Sequence, residues 1–430
     1  MSRPSSGSAA QAVAGIRSGE RVFIGSGAAE PSALVRALTA RAAELRDVNL
    51  LHIMTFGDAP YCAPGLAASF RHTAFFIGPN TRQAVEEGRA DAMSIHLSRI
   101  PGLFHDRLPL DWALVQLSPP DRHGYCTVGV SADVVVAAIR RAKRVVAEIN
   151  PRMPRTWGDT LVRFDRLAAV VEADATLPEI VPEPIDDVSR RIGEQVATLV
   201  KDGDCLQTGI GSIPNAVLHA LRDRRRLGVH TEMLTDGIVD LIEGGAVDCS
   251  RKSYRPHKIV CSFAGGTRRL YDFVDDNPFL DFQGSDLVND PLIIGRNDNM
   301  VAVNGAIAVD LTGQVSSDSL GTRPYSGFGG QVDFIRGAAR SRGGRPVIAL
   351  PSTARQGTAS RIVSTLLPGA GVVTSRADVH FVVTEHGVAD LYARGMQERA
   401  EALIRIADPR FRDGLEREAR ERGLLRRKVF

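Results

Sequence analysis

One block of sequence occurs twice in this chain of 430 residues. Gly19, Gly25 and Gly27 recur as Gly203, Gly209 and Gly211, each 184 positions later (203 − 19, 209 − 25, 211 − 27). In both copies an apolar run precedes the last two glycines and a helical pattern follows them. The repeated unit is a strand, a glycine turn and a helix, which predicts two related α/β domains.

The same strand and helix patterns continue along both halves. The pair Thr81-Arg82 matches Thr267-Arg268 at an offset of 186 (267 − 81), a small drift that loop insertions explain. Strand-like runs alternate with helical segments, which predicts mainly parallel sheets covered by helices. The proline-rich segment 177–185 predicts a boundary between domains 1–180 and 181–430; the alternative is an ordinary loop within one domain.

Composition limits the partners of this chain. Hydrophobic residues make up 43%, charged residues 24%, and the net charge of +3 does not indicate a nucleic-acid partner. The five cysteines form no CxxC pair, the N-terminus is polar, and no run approaches the roughly 20 apolar residues of a membrane span. We therefore expect a cytoplasmic protein with no membrane or nucleic-acid partner. No His, Cys or Asp cluster has metal-ligand spacing, so no metal is expected.

Glu232 is the first candidate for chemistry, because it ends an apolar run in the segment 227–237. When the halves are aligned on His52 and His230, Glu232 lies opposite the apolar Met54. The fold itself therefore does not require a carboxylate there. This predicts a nucleophile in a single active site at the domain interface; the alternative is an ordinary solvated glutamate at the end of a strand.

Two glycine-rich segments are candidates for ligand binding. The turn at Gly209 and Gly211 can direct backbone N–H groups at an anion or an oxyanion. Gly327, Gly329 and Gly330 precede a helical pattern and would allow close approach of a ligand. Neither segment matches a phosphate-binding Walker loop or a dinucleotide fingerprint. The alternatives are a tight structural turn and a flexible surface loop, respectively.

Three motifs together resemble the acetyl-CoA hydrolase/transferase family, and within it the 4-hydroxybutyrate CoA-transferases. They are Gln207-Thr-Gly-Ile-Gly-Ser-Ile-Pro214, Val229-His-Thr-Glu-Met233 and Gly327-Phe-Gly-Gly-Gln-Val-Asp-Phe334. The segments 118–126, 150–155 and 309–315 are also similar to this family, and the likeness runs from about residue 10 to residue 415. The resemblance implies a class I CoA-transferase-like fold of two similar α/β domains.

The resemblance also implies a mechanism and a set of site residues. The Glu232 carboxylate would attack an acyl-CoA thioester, and a glutamyl-CoA thioester would follow from the resulting anhydride. Backbone donors for the oxyanion would be Ile210 and Gly329, with Asn304 near the reacting carbonyl. Coenzyme A would contact Gly209, Ile210, Gly211, Ser212, Ile213, Gly327, Gly329, Gly330 and Arg355. At Arg355, a predicted contact of the CoA phosphates, related sequences often carry lysine.

Glu385 is a rival nucleophile, since it also follows a strand-like run, at 379–383. We favour Glu232 because the glycine turn precedes it by one structural unit and because its motif matches the family. His230 is expected to be a structural neighbour rather than a general base.

The resulting expectation is a CoA-transferase acting between a short-chain acyl-CoA, such as 4-hydroxybutyryl-, butyryl- or acetyl-CoA, and a carboxylate such as acetate. Coenzyme A would be a substrate, with no tightly bound cofactor, and the partners would be an acyl-CoA and a small carboxylic acid. The alternatives are an acyl-CoA hydrolase that uses the same site and a non-catalytic CoA-binding regulatory protein. A nicotinamide-dependent dehydrogenase is disfavoured by the missing fingerprint. The family likeness implies a homodimer or a dimer of dimers.

Overall fold

A computed structural model describes residues 4–426 of the chain. Contacts divide it into two compact units: residues up to 181 with 232–236 and 259–289, and residues 182–231 with 237–258 and those from 290 onward. The segment 177–185 contains no helix or strand. The domain boundary at residues 180 and 181 stays a prediction.

The first half of the chain forms an α/β sheet domain. Its strands are β1 Ser5–Ser6, β2 Arg21–Ile24, β3 Val48–His52, β4 Phe70–Ala74, β5 Ala90–Ala92, β6 Trp112–Leu117, β7 Tyr125–Thr127, β8 Arg144–Ile149, β9 Leu161–Arg163 and β10 Ala169–Glu172. Its α-helices are α1 Ala9–Val13, α2 Ser32–Thr39, α3 Pro79–Glu86, α4 Ile100–Asp106 and α5 Val135–Arg141. Short 3-10 turns lie at Pro60–Cys62, Pro64–Leu66, Leu97–Arg99 and Phe164–Arg166.

The second half contains the remaining elements. Its strands are β11 Cys205–Gln207, β12 Gly228–Leu234, β13 Ile259–Ala264, β14 Leu280–Phe282, β15 Met300–Gly305, β16 Ala308–Asp310, β17 Val315–Ser316, β18 Ser319–Leu320, β19 Arg323–Pro324, β20 Arg345–Ala349, β21 Thr353–Ala354, β22 Ala359–Ser360, β23 Ile362–Val363, β24 Phe381–Thr384 and β25 Gly387–Asp390. Its helices are α6 Asp187–Ala197, α7 Ser212–Ala220, α8 Asp236–Glu243, α9 Arg268–Val274, α10 Ser285–Val288, α11 Pro291–Ile294, α12 Gln331–Arg340, α13 Met396–Ile406 and α14 Pro409–Glu421.

The strand order repeats between the halves. The first sheet has the order β1-β10-β8-β6-β2-β3-β4-β5, and all its pairings are parallel. In the second half, β24-β20-β15-β11-β12 are parallel neighbours in the same relative order as β10-β8-β6-β2-β3. An antiparallel strand, β25, pairs with β24. The prediction of two similar α/β domains with mainly parallel sheets is confirmed.

Apolar runs form the central strands because both faces of a parallel sheet are covered. Val22, Phe23 and Ile24 of β2 are fully buried, and so are Val301 and Ala302 of β15. In the first half these strands pack against α1 and α2, and in the second half a separate core surrounds β16, β24 and α13. The repeated pattern therefore puts the ends of the parallel strands, with their loops, at one edge of each sheet.

Candidate active site

The second glycine turn connects β11 to α7 and is shaped by Gly211. This residue has φ of +111°, a backbone conformation that side-chain-bearing residues rarely adopt. A Cβ atom at Gly209 would meet no other atom within 4 Å, so the turn is open on that side. Ile210 between them is 48% exposed. The backbone N–H of Ser212 at the start of α7 donates to Oε2 of the exposed Glu183 at 3.1 Å.

A cavity of about 260 Å³ lies at this turn. Residues 209–213 line it together with Asn304 at the end of β15 and Pro351 just after β20. The three strands that lead to these residues are parallel neighbours, so their carboxyl ends meet at one edge of the sheet. Asn304 Nδ2 donates to Oε1 of Gln207 at 3.1 Å, which fixes the amide at the cavity wall. The structure thus brings the predicted residues of this turn and Asn304 together.

The first glycine turn, between β2 and α2, is filled. A Cβ atom at Gly25 would lie 3.0 Å from the backbone oxygen of Ala29. The N–H of Leu34 in the first turn of α2 donates to Oε1 of Glu148 at 2.7 Å. Glu148 is 1% exposed, and burial raises the pKa of its carboxyl to about 7. A buried carboxyl group therefore occupies the end of α2 that faces strand β8.

Glu232 is the one residue of β12 that is partly exposed; the other six are buried. Its Oε2 accepts a hydrogen bond of 2.9 Å from Nδ2 of Asn289. Asn289 is fully buried and is the residue at the C-terminal end of the short helix α10. Sequence reasoning did not find Asn289, because it lies 57 positions from Glu232 and in no recognisable motif.

The threonines that precede two of the candidate residues are hydrogen-bonded to each other. Thr231 Oγ1 donates to the backbone oxygen of Thr208 at 3.1 Å, and both threonines are buried. In the chain, Thr231 is followed directly by Glu232 and Thr208 directly by Gly209.

The other predicted contacts of coenzyme A lie on two further elements. Gly327, Gly329 and Gly330 precede α12; Gly329 has φ of +51°, and Gly330 is the N-cap. Arg355 is exposed near the tip of the β21–β22 hairpin. Within residues 4–426, the lining of the cavity at the second turn includes Pro351 but neither Arg355 nor this glycine loop.

Glu385 differs from Glu232 in both burial and hydrogen bonding. It is 8% exposed, and its two carboxylate oxygens accept hydrogen bonds from Ser352, from Oγ at 2.6 Å and from N at 2.9 Å. His230 is fully buried; its Nδ1 lies 3.3 Å from Asn297 Nδ2, and its ring packs against Phe334. Both residues are thus buried, whereas Glu232 is partly exposed.

Among the described residues, no group of three or more His, Cys, Asp or Glu side chains could hold a metal ion. In the same part of the chain, no helix combines the length and apolar character needed to span a bilayer.

Two family models match the chain. The acetyl-CoA hydrolase/transferase N-terminal domain matches residues 6–182, and the C-terminal domain of the same family matches residues 266–419. The chain belongs to the acetyl-CoA hydrolase/transferase family. The predicted family is thereby confirmed. The expectation of an enzyme of the CoA-transferase type is confirmed together with the relatives described next.

Individual relatives cover nearly the whole chain. A 4-hydroxybutyrate coenzyme A transferase of Clostridium kluyveri is 45% identical over 96% of this chain and 97% of its own length. A succinyl-CoA:cyclohexane-1-carboxylate CoA transferase of Geobacter metallireducens is 43% identical over 95% of this chain and 94% of its own. The crystal structure of RipA from Yersinia pestis superposes with a TM-score of 0.94 at 35% identity, covering 98% of both chains.

The hydrolase branch of the family is more distant. An acetyl-CoA hydrolase of Saccharomyces cerevisiae is 26% identical over 76% of this chain and 70% of its own length. Sequence similarity therefore lies with the relatives that are named transferases.

Proposed function

We propose that this protein transfers coenzyme A between a short-chain acyl-CoA and a small carboxylate, with Glu232 as the covalent carrier. The observation that carries the proposal is the carboxylate of Glu232, partly exposed on an otherwise buried strand and held through one oxygen by Asn289. A nucleophile needs this combination of access and fixed orientation. The names of the relatives with 43% and 45% identity support the reaction class.

The reaction would proceed through two covalent intermediates on Glu232, first an acyl-glutamyl anhydride and then a glutamyl-CoA thioester. A Glu232 carboxylate oxygen attacks the thioester carbonyl, the C–S bond breaks, and an acyl-glutamyl anhydride and a CoA thiolate result. The thiolate then attacks the glutamyl carbonyl, which releases the first acyl group as a carboxylate and leaves a glutamyl-CoA thioester. An incoming carboxylate reverses both steps and departs as the new acyl-CoA. The free energy of the thioester is therefore retained.

Each attack creates a tetrahedral oxyanion, which needs fixed donors worth roughly 3 kcal/mol each. We assign this role to the backbone N–H groups of Ile210 and Gly329, with Asn304 near the reacting carbonyl. The open turn at Gly209 and the cavity beside it support the assignment. The CoA tail would follow Gly209, Gly211, Ser212 and Ile213; Gly327 and Gly330 would contact the pantetheine, and Arg355 the phosphates.

The covalent step can be tested by trapping. The protein is incubated with acetyl-CoA and treated with borohydride, which reduces a glutamyl thioester to an alcohol, and peptides are mapped by mass spectrometry. We expect the modification on the peptide with Glu232 and an unmodified peptide with Glu385. A mark on Glu385, or no mark on either peptide, contradicts the proposal.

The hydrolase alternative shares the nucleophile, so it needs a different measurement. The protein is incubated with acetyl-CoA, with and without added butyrate or 4-hydroxybutyrate. The concentrations of free thiol and of new acyl-CoA are both measured over time. Transfer gives new acyl-CoA without accumulation of free thiol. Release of thiol at a rate independent of the added acid would instead identify water as the acceptor.

We further propose a cytoplasmic homodimer or dimer of dimers, with the domains divided at residues 180 and 181. Size-exclusion chromatography with light scattering tests the assembly; a monomer at micromolar concentration would contradict it.

A further inference from the structure

Both carboxylate oxygens of Glu385 hold the start of one hairpin, and Nε2 of His386 lies 3.7 Å from Oε1. The two oxygens accept the Oγ and N donors of Ser352 at 2.6 and 2.9 Å, and the carboxylate is 8% exposed. Ser352 is itself fully buried. On the other side of Glu385, its backbone oxygen accepts from Nη2 of Arg191 at 2.9 Å. A buried carboxylate with both oxygens paired in this way is a fixed anchor.

Ser352 also connects the two ends of the hairpin through a backbone hydrogen bond. Its backbone oxygen accepts from the N–H of Arg361 at 2.8 Å, so one residue links Glu385 to both ends of the segment 353–360. The Arg361 guanidinium adds hydrogen bonds to the backbone oxygens of Thr353 at 3.1 Å and Ile307 at 3.2 Å. The base of the hairpin is therefore held from both sides.

The tip of the hairpin has an unusual backbone. Arg355, Gln356 and Gly357 all have positive φ, of +51°, +55° and +84°. Two consecutive non-glycine residues in this region cost free energy, so the conformation persists where the surrounding structure enforces it. Arg355 and Gln356 are exposed, while a Cβ atom at Gly357 would lie 3.1 Å from Nη2 of Arg410. The base of the hairpin, at Ser352 and Arg361, is bonded to the core.

We propose that Glu385 is a positioning residue for coenzyme A: by fixing Ser352 it holds the hairpin 353–360 so that Arg355 meets the phosphate-bearing nucleotide end of coenzyme A. This inference rests on the proposed function. Glu385 acts through Ser352 and does not touch the reacting atoms. It therefore sets the affinity for the nucleotide end of the substrate and leaves the acyl chemistry unchanged.

The test compares two thioesters in the Glu385→Gln variant. A glutamine keeps the size of the side chain but turns one acceptor into a donor that faces another donor. We expect KM for acetyl-CoA to rise about tenfold, or about 1.4 kcal/mol, which is close to the lower end of what one hydrogen bond to a charged group contributes. The value of kcat should stay within about twofold of wild type. With acetyl-pantetheine, which lacks the nucleotide, the kinetics of variant and wild type should coincide.

Ser352→Ala is the matched second variant, because it removes the Oγ hydrogen bond and keeps the one from the backbone N–H. A smaller rise in KM for acetyl-CoA is expected, again without an effect on acetyl-pantetheine. Equal losses on both thioesters, a fall in kcat alone, or an unchanged KM in Glu385→Gln would overturn the proposal.

Calorimetric binding of coenzyme A separates this proposal from the proposed function. Weaker binding in Glu385→Gln supports the anchor even if wild-type protein transfers no acyl group. Unchanged binding overturns the anchor even if transfer and the covalent mark on Glu232 are found.

Discussion

The two glycine turns have the same origin in the sequence and differ in what stands beside them. At the first turn, Gly25 has backbone oxygen within 3.0 Å of where its Cβ would be, and the buried Glu148 accepts from the start of α2. At the second turn, Gly209 has open space, and the donor at the start of α7 bonds to the exposed Glu183. The motif by itself therefore does not make a ligand site. Whether a ligand can bind at such a turn depends on whether a buried side chain of the protein already occupies the N-terminal end of the following helix.

The acids paired with the two turns differ in burial, which supports the proposal that the first turn serves the fold and the second receives a ligand. Taking a carboxyl group such as that of Glu148 away from a buried N–H leaves a donor without a partner. Glu183 is exposed, so water can replace it at little cost, and so can a ligand. Four expected outcomes test this division and the proposed nucleophile, and the one with the largest expected effect comes first.

Glu232→Ala should reduce transfer between acetyl-CoA and butyrate by roughly 10⁴-fold or more, since it removes the proposed nucleophile. Binding of coenzyme A, followed by calorimetry, should survive. Retention of more than a tenth of wild-type turnover would exclude the covalent mechanism and move the chemistry away from β12.

Glu148→Ala should lower the free energy of unfolding by about 3 kcal/mol, through an unpaired buried N–H and a void beside α2. Urea unfolding measures the loss, and KM for acetyl-CoA is the second readout. Glu183→Ala is the matched control at the second turn, where we expect a change within about 0.5 kcal/mol because the acid is exposed. Equal losses in the two variants would remove the distinction between a filled and an open turn.

Because Glu148 titrates, the free energy of unfolding should depend on pH through the first turn. Burial raises its pKa to about 7 from an ordinary value of 4.5, so folding favours the protonated form. The stabilising contribution is complete below pH 4.5 and is lost as the pH rises through 7. Between pH 5 and 8, wild type should therefore lose about 2 kcal/mol more unfolding free energy than Glu148→Gln, which stays neutral. Parallel curves for the two proteins would show that Glu148 ionises normally in the fold.

Alanine at the matched glycines should separate the turns most directly. In Gly209→Ala the new methyl group enters open space, so stability should hold while KM for acetyl-CoA rises about tenfold, or 1.4 kcal/mol. In Gly25→Ala the methyl group meets the backbone oxygen of Ala29, so the melting temperature should fall. KM for acetyl-CoA should stay unchanged in this variant. If Gly209→Ala leaves KM unchanged, coenzyme A does not pass this turn.

Much of the fold could be predicted from the sequence because its signals are local. The repeat of Gly25 and Gly27 in Gly209 and Gly211, with apolar runs before and helical patterns after, is enough to predict two similar domains. Parallel pairing follows, because a helix between two strands returns the chain to the end of the sheet at which the first strand began. Glu232 stood out for a local reason as well: a carboxylate occupies a place that is apolar in the other half.

The tertiary structure decided which side chains complete these local patterns. Glu148 reaches Leu34 across 114 positions, Asn289 reaches Glu232 across 57, and Glu385 reaches Ser352 across 33. No periodicity links such pairs, because a hydrogen bond made by a side chain to a distant residue depends on which elements become neighbours and not on spacing along one element. The sequence by itself therefore determined two glycine turns and a candidate nucleophile. Packing alone decided that one turn is closed by a buried acid and the other is open, because burial depends on residues brought together from distant parts of the chain.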